Sequence, residues 1–230
     1  TYIHAVNYQK DWYADDIKAE GGYTLEMIDP NNPCEETRNW RASNADAGGT
    51  PGAPNSVYAS NPDVTLPDLL RAEAINPTTV VLFFTETLNR QAASDVAQYS
   101  ISNGVGNPLS ATVPLTNFKT VVLTLAAPIA DNTIYTVSVG QQVTDCAGNA
   151  VGQLYSQAPF GIAHAAQPND MVINEILFNP ATGGYDYVEL YNRTNTVLSL
   201  NGWYTANTEP ETADTLVNHE LMVTEVFSLH

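Results

Sequence analysis

Carboxylates are the chemically active side chains that this sequence supplies in quantity. Its 230 residues include 25 Asp and Glu against 8 Lys and Arg, which gives a net charge of −17. Asp15-Asp16 and Glu35-Glu36 are adjacent pairs, and adjacent side chains of a strand point to opposite faces. A catalytic pair of acids must instead converge across a cleft. These pairs therefore predict no catalytic acid and base.

Calcium is the metal that this composition favours, because turns rich in Asp and Asn offer the hard oxygen ligands that it prefers. Asn61-Pro62-Asp63 and Asp131-Asn132 are short segments of this kind. Neither fits the D-x-[DN]-x-[DN]-G loop of a dedicated calcium site, and both indicate ordinary turns first and metal ligands second. We therefore expect no resident cofactor or metal, with calcium as the alternative.

Histidine and serine form no pattern of a catalytic or zinc centre. The histidines are scattered, and His219-Glu220 is only the first half of an H-E-x-x-H zinc motif. No G-x-S-x-G nucleophile motif occurs. Gly104-Val105-Gly106 is a lone G-x-G between two predicted strands, which favours a hairpin turn over a phosphate loop. We predict that the protein is not an enzyme and has no catalytic residues.

The two cysteines, Cys34 and Cys146, are too few for a disulfide scaffold and lack the C-x-x-C spacing of zinc and redox sites. In an oxidising compartment they are candidates for one disulfide bridge. The alternative is two inert buried thiols.

The charge and the apolar pattern exclude two classes of partner. Binding to nucleic acid or to an anionic membrane surface needs a basic patch, and the chain has only three lysines. The longest purely apolar run is the five residues 80–84, whereas a spanning helix needs about 20. We expect no nucleic acid and no membrane span.

The composition predicts an all-β protein. The chain has 24 Thr and 20 Val, which suit a pleated and half-buried surface. It also has 22 Asn, 14 Gly and 14 Pro, which favour turns between short strands. The apolar fraction of 43% is large enough to fill a core.

The middle of the chain has the strand spacing of an immunoglobulin-like sandwich. Its predicted strands are residues 69–75, 79–84, 99–101, 109–113, 118–125, 134–139 and 142–144. Residues 88–97 predict a helical turn in which Ser94 and Asp95 offer capping oxygens. Tyr135 begins the sixth strand, which is the position of a tyrosine corner whose hydroxyl bonds the backbone just upstream. The alternative for Tyr135 is an ordinary inward-facing aromatic.

The two ends of the chain carry short β motifs separated by turn-rich coil. Near the C-terminus these are Ile173-Asn174-Glu175-Ile176, Val188-Glu189-Leu190-Tyr191-Asn192 and Leu200-Asn201-Gly202-Trp203-Tyr204. Near the N-terminus they are Val6-Asn7-Tyr8, Trp12-Tyr13, Gly21-Gly22-Tyr23-Thr24-Leu25-Glu26, Asn39-Trp40 and Gly48-Gly49-Thr50-Pro51-Gly52. About sixty residues of β-structure are marginally stable alone, so each end is expected to need a partner.

These end motifs resemble the bacterial lamin-tail domain, an immunoglobulin-like β-sandwich. The C-terminal motifs resemble its opening half and the N-terminal motifs its closing half. The middle resembles the bacterial Ig-like modules of surface and S-layer proteins through Tyr99, Tyr135-Thr136-Val137 and Asp145-Cys146-Ala147-Gly148-Asn149. The resemblance divides the chain into 1–60 (lamin-tail closing part), 61–165 (bacterial Ig-like domain) and 166–230 (lamin-tail opening part).

Because the closing half comes first, two arrangements are open. The two ends complete one sandwich within the chain, or they complete it head to tail between neighbouring chains. We predict the first. In either case Glu175 and Glu189 of the motif are expected to accept hydrogen bonds from loop backbone and from Trp or Tyr groups, rather than to act as acid and base.

Aromatic residues concentrate in the end segments, where a sandwich needs large inward side chains. We predict that they pack in the core rather than form a sugar-stacking platform. The residues concerned are Trp12, Trp40, Trp203, Tyr8, Tyr13, Tyr185, Tyr187 and Tyr204. Asn192-Arg193-Thr194 is in addition a glycan acceptor sequon, which matters only in a host that reads it.

The predicted function is a non-catalytic structural or adhesive β-sandwich protein, a spacer or accessory module of a larger cell-surface or secreted protein. The resemblance implies a secreted, periplasmic or surface location and a protein or glycan partner there. The chain begins at Thr1 without a leader, which predicts either a removed signal or a longer parent chain. The alternative function is an extracellular carbohydrate- or calcium-binding module.

Overall fold

The structure, a computed structural model, describes residues 6, 8–33, 36–209, 212–221 and 226–227. This part of the chain is all-β, as predicted, and its helices are 3-10 turns of three or four residues. None of the helices described is long and apolar enough to cross a membrane.

The strands fall into three groups along the chain. The N-terminal segment has β1 (Leu25–Met27) and β2 (Trp40–Ala42). The central module has β3 (Leu69–Asn76), β4 (Thr79–Phe84), β5 (Tyr99–Ile101), β6 (Ser110–Thr112), β7 (Thr120–Thr124), β8 (Tyr135–Val139) and β9 (Gln157–Phe160). The C-terminal segment has β10 (His164–Ala165), β11 (Met171–Leu177), β12 (Tyr187–Asn192), β13 (Leu198–Ser199), β14 (Tyr204–Glu209), β15 (Thr212–Leu221) and β16 (Val226–Phe227).

The central module is an immunoglobulin-like sandwich of two antiparallel sheets. One sheet has the order β3-β4-β7-β6 and the other has the order β5-β8-β9. Alternation along the strands builds the core: in β8, Tyr135, Val137 and Val139 are buried while Thr136 and Ser138 are half-buried. The completely buried side chains come from both sheets and include Val80, Leu82, Tyr99, Val121, Leu123 and Val137.

The predictions for the tyrosine corner at Tyr135 and for the capping oxygen of Asp95 are confirmed. The Tyr135 hydroxyl accepts a hydrogen bond of 2.9 Å from the backbone N–H of Ala130, which makes it a tyrosine corner. Asp95 caps the second of two short 3-10 turns, because its carboxylate accepts a bond from the N–H of Ala97.

The seventh predicted strand is wrong. Residues 142–144 lie in a turn that forms only isolated bridges, and the seventh strand is β9. Pro159 hides this strand in the sequence, since proline argues against a central strand. It is tolerated because β9 is the edge of its sheet and pairs with β8 alone.

The sandwich has two opposite ends, at which the two other segments attach. At the proximal end, β3 begins and β4 and β8 finish. At the distal end, β8 begins and β9 finishes, because Tyr135 pairs with Phe160. The eight residues of β3 place the two ends about 26 Å apart.

The N-terminal segment is a two-stranded sheet covered by loops. Gly48 has φ +81° and lies so close to the Gly22 carbonyl that a Cβ atom would collide with it. Trp12 packs beside Trp40 with ring centroids 6.4 Å apart. The alternation of Tyr23, Leu25 and Met27 with Thr24 and Glu26 predicts a strand with the apolar side chains on its buried face. In β1 the burial is the reverse: Glu26 is buried, and its neighbours Leu25 and Met27 are half-buried.

The C-terminal segment contains an antiparallel hairpin of β11 and β12 and a small sheet of the order β10-β13-β16. Over the described residues, no sheet combines strands of the N-terminal and C-terminal segments. The described strands therefore do not pair into the single sandwich predicted from the two ends, because the segments that carry them attach at opposite ends of the central module.

The prediction for the aromatic residues of the end segments is only partly correct. Trp12 is buried, and Trp40, Tyr13 and Trp203 are half-buried. The remaining four, Tyr8, Tyr185, Tyr187 and Tyr204, are exposed, with 87% of Tyr185 accessible. They lack a core because, in the part of the chain that the structure describes, no second sheet covers the segments that carry them.

Candidate functional site

Three carboxylates meet at the proximal end of the central sandwich. Asp63 precedes β3, Glu86 follows β4, and Asp145 lies in the loop after β8; one oxygen of each lies within 4.8 Å of the others. Asp63 belongs to a segment that the sequence predicts as a turn or calcium ligand. The other two were missed, because the three residues come from separate parts of the chain and only the strand topology brings them together.

Asp145 is the most buried member of this acidic cluster, with none of its surface accessible. One carboxylate oxygen accepts bonds from the N–H groups of Gly148 and Asn149, at 2.7 and 2.8 Å. The other accepts the Asn149 side-chain amide at 2.9 Å, and that amide also donates to the Asp63 carbonyl. Asp145 thus organises the loop that follows it.

Arg38 of the N-terminal segment closes the acidic cluster. Its guanidinium lies 2.5 Å from Glu86 and donates a bond of 3.0 Å to the Thr65 hydroxyl. Burial of Glu86 and the nearby charge of Asp63 raise the pKa of this carboxyl, and Arg38 opposes that change. The cluster has the oxygen ligands of a calcium site, but one of its carboxylates already pairs with a cation from the same chain.

Glu26 is a second buried carboxylate, and its oxygens are occupied. One oxygen accepts the Thr50 hydroxyl at 2.7 Å, and the other accepts the N–H and hydroxyl of Ser56, each at 2.7 Å. Burial favours the protonated form, but these hydrogen bonds outweigh it and lower the pKa of Glu26 from 4.5 to about 2. Glu26 joins the loop around Thr50 to β1 and is not available as an acid.

The other residues considered as catalytic or ligand-binding candidates lie apart from these carboxylates. His164 lies 2.8 Å from Asp131 at the distal end, whereas His219-Glu220 lies in strand β15. His4, His230 and Glu35 lie outside the described residues. The Gly104-Val105-Gly106 segment is a tight turn, as predicted: Ile101 and Gly106 exchange backbone hydrogen bonds, and Gly104 and Gly106 have positive φ.

Both predicted acceptors of the C-terminal motifs accept hydrogen bonds, but only Glu175 does so from a donor of the predicted kind. Glu175 accepts a bond of 2.9 Å from the Tyr187 hydroxyl, and Glu189 accepts one from the Asn174 amide. The Glu175 carboxylate raises the pKa of Tyr187. Asn192 of the sequon is buried, and its amide donates to the Thr196 carbonyl, so it is not presented as a glycan acceptor.

An open groove of about 470 Å³ lies in the N-terminal segment. Its lining is Pro30, Ala53, Pro54, Asn55 and Tyr58, without a carboxylate or histidine. Such a lining offers contact but no acid, base or nucleophile.

Cys146 lies in the loop organised by Asp145 and is disulfide-bonded. Cys34 lies outside the described residues, so the predicted pairing of the two cysteines stays a prediction.

Comparison with known protein families gives a match over the middle of the chain. The model of the bacterial Ig-like domain family matches residues 57–161. No curated protein sequence matches the chain.

Three solved structures are similar over part of the chain, and all come from the bacterial surface layer protein SbsC. Domains 1–6 of SbsC are 22% identical, cover 49% of this chain and give a TM-score of 0.39. The N-terminal part of SbsC is 20% identical, covers 67% of this chain and gives 0.39. The structure of rSbsC(31-844) is 18% identical, covers 67% and gives 0.38. The chain spans 16%, 38% and 22% of these three chains, respectively.

Proposed function

We propose that this chain is a non-catalytic structural module of a larger exported cell-surface protein, in which the Ig-like sandwich is a spacer between two end segments. The observation that carries this proposal is the placement of the two connections. The N-terminal segment contacts the sandwich at its proximal end, through Arg38 with Glu86, and the C-terminal segment leaves from β9 at its distal end. A spacer needs this arrangement because it holds the preceding and the succeeding parts of a chain apart.

The packing of the sandwich supports the proposal. Large side chains of both sheets fill its centre, including Leu82, Tyr99 and Phe160, which are at most 1% exposed. Two of the buried carboxylates, Glu26 and Asp145, are engaged in loop hydrogen bonds. We infer that the buried residues of this module serve to make it rigid, and that the end segments are accessory parts like those of the lamin-tail-like proteins that they resemble.

Surface proteolysis of intact source cells tests the cellular part of the proposal. If the protein is an exported module, protease added outside should remove it from intact cells while a cytoplasmic marker stays whole. Protection in intact cells together with loss after lysis would contradict an exposed location.

Calcium binding is the second candidate function, and the acidic cluster of Asp63, Glu86 and Asp145 is the observation that favours it. A bound cation stabilises the folded state by mass action, so calcium would raise the midpoint of thermal unfolding. The structural proposal predicts no rise, because Arg38 already pairs with Glu86. A rise with calcium that is lost in Asp63→Asn, and absent with magnesium, would favour the calcium module instead.

Carbohydrate binding is favoured by the exposed aromatic side chains of the C-terminal hairpin. Tyr185, Tyr187 and Tyr191 are 87%, 45% and 47% exposed, and tyrosine rings stack on sugars when they are accessible. A glycan array with the intact chain separates the two functions. Binding to specific glycans that is lost in Tyr185→Ala would assign an adhesive role to the hairpin.

A further inference from the structure

The hairpin of β11 and β12 has one apolar face that nothing in the described part of the chain pairs with or extends. The strand register places Ile176 opposite Val188 and Ile173 opposite Leu190 on this face. Ile173, Ile176 and Val188 are 59%, 55% and 44% exposed. An isolated two-stranded hairpin is marginally stable in water, so this one needs a further strand or sheet.

The opposite face of the hairpin carries an excess of negative charge. Glu175 and Glu189 lie directly opposite each other, and like charges at such positions are destabilising. Tyr187 and Tyr191 flank Glu189 on the same face of β12, two residues to either side. Residues 166–230 hold nine acidic residues and one basic residue, so the surrounding segment does not balance this pair.

The N-terminal segment offers the complementary edge. Among the described strands β2 pairs with β1 alone, and its residues alternate between Trp40 and Ala42 on one face and the exposed Arg41 on the other. The outer side of β1 is covered, because Asn55 donates to the Met27 carbonyl. Residues 1–60 hold four of the eight basic residues of the chain but also nine acidic residues, so the positive charge at this edge is that of Arg41 itself.

These two surfaces attach to opposite ends of the central sandwich, so strand pairing between them requires two molecules. We propose that β2 of one copy adds to the free edge of β12 of a second copy, and that copies of this chain associate head to tail. The edge of β12 is favoured over that of β11 because β11 contains a bulge between Ile173 and Glu175, and bulges disrupt further pairing.

The pairing brings apolar side chains together on one face of the joined sheet and opposite charges together on the other. With Trp40 and Ala42 on the side of Val188, Arg41 lies on the polar face beside Glu189 and between the rings of Tyr187 and Tyr191. The central sandwich contains a related combination, in which the aromatic ring lies on the adjacent strand and the carboxylate on the strand of the arginine itself. There the Arg71 guanidinium lies 3.6 Å from the centre of the Phe83 ring and 3.1 Å from Glu73.

Such an interface is heterologous, since it joins two different surfaces, and it leaves one unused surface at each end of the assembly. Association is therefore open-ended: larger species should appear as the protein concentration rises. A symmetric contact between two hairpins would stop at two copies.

A charge exchange tests the proposal with the full chain. Sedimentation velocity is measured for the wild type, Arg41→Glu and Glu189→Arg across a wide concentration range, and then for an equimolar mixture of the two variants. Each variant alone sets like charges against each other, which should weaken association at least tenfold, a rough estimate. In the mixture every contact joins opposite charges, so assembly should return. Arg90→Glu, at an exposed residue in a loop of the central module, makes the same charge change as Arg41→Glu and should assemble like the wild type.

Wild-type protein that stays monomeric, assembly that stops at a dimer, or a mixture that does not recover would each overturn the proposal. The inference rests on the chain being a structural module, but the two fail separately. A monomeric protein found on the cell surface would leave the proposed function standing and remove head-to-tail association.

Discussion

Glu26 is a buried carboxylate that three hydrogen bonds keep ionised. The periodicity of its strand places Leu25 and Met27 on the face opposite to it and predicts the wrong face as buried. The loop that covers Glu26 is irregular in sequence, and its Thr50 and Ser56 are ordinary turn residues. The strand pattern therefore carries no signal that this loop folds back over β1.

The Glu26 carboxylate makes stability depend on pH. Its pKa is about 2 in the folded chain against 4.5 ordinarily, so its contribution is complete above about pH 4.5 and is lost as the pH falls toward 2. We expect Glu26→Gln to cost roughly 2 kcal/mol at pH 7 and almost nothing near pH 2. Denaturant unfolding of both proteins across this range measures the difference. A cost that does not change with pH would show that Glu26 is not held as an anion.

Tyr135 fixes the turn before β8 through one hydrogen bond to Ala130. Tyr135→Phe keeps the ring, which is 6% exposed, and leaves a backbone N–H without its acceptor. We expect a loss of about 1–2 kcal/mol in the free energy of unfolding. Tyr155→Phe is the matched control, because Tyr155 is 58% exposed, and it should be neutral. Equal effects of the two changes would contradict a tyrosine corner.

At the scale of elements, the sequence predicts strands well where two sheets bury alternate residues. The predicted ranges 79–84 and 99–101 agree with β4 and β5. Prediction is poor where a strand lies at an edge, since β9 tolerates Pro159 there. It also fails for residues 142–144, because branched and polar residues in a turn have the same local composition as a short strand.

A substitution at the centre of β4 tests how much the packing between the two sheets contributes to stability. Leu82 is completely buried between β3 and β7, so Leu82→Ala should cost about 2–5 kcal/mol. Leu154→Ala removes the same atoms from a residue that is 90% exposed and should change stability by less than about 0.5 kcal/mol. Denaturant unfolding compares them. A small effect at Leu82 would mean that the two sheets are not packed as described.

At the scale of the whole molecule, the sequence predicts neither which distant residues meet nor which segments stay apart. The acidic cluster joins residues from three separate stretches of the central module, and no local motif predicts that Asp63, Glu86 and Asp145 meet. The aromatic residues of the end segments are typical of a core, but a core needs two sheets. Tyr185 and Tyr187 are exposed because the second sheet is not supplied by strands of the same chain that the structure describes.

The bridge between Cys34 and Cys146 is a further prediction at this scale. It would fasten the N-terminal segment to the proximal end of the sandwich, beside the contact of Arg38 with Glu86. Peptide mapping without reductant should recover the two cysteines in one linked species, and reduction should cost about 2–4 kcal/mol of stability. Recovery of both cysteines as free thiols would contradict the bridge.

The two end segments lie at opposite ends of one closed sandwich, and the proposed spacer role and head-to-tail association both depend on that placement. Spin labels at Ile17→Cys and Phe178→Cys, both at residues that are 83% exposed, report their separation within one molecule when the labelled protein is diluted with unlabelled protein. Pulsed electron spin resonance should give a distance longer than the roughly 26 Å of β3. A distance distribution centred below the length of that strand would show that the ends meet within the chain.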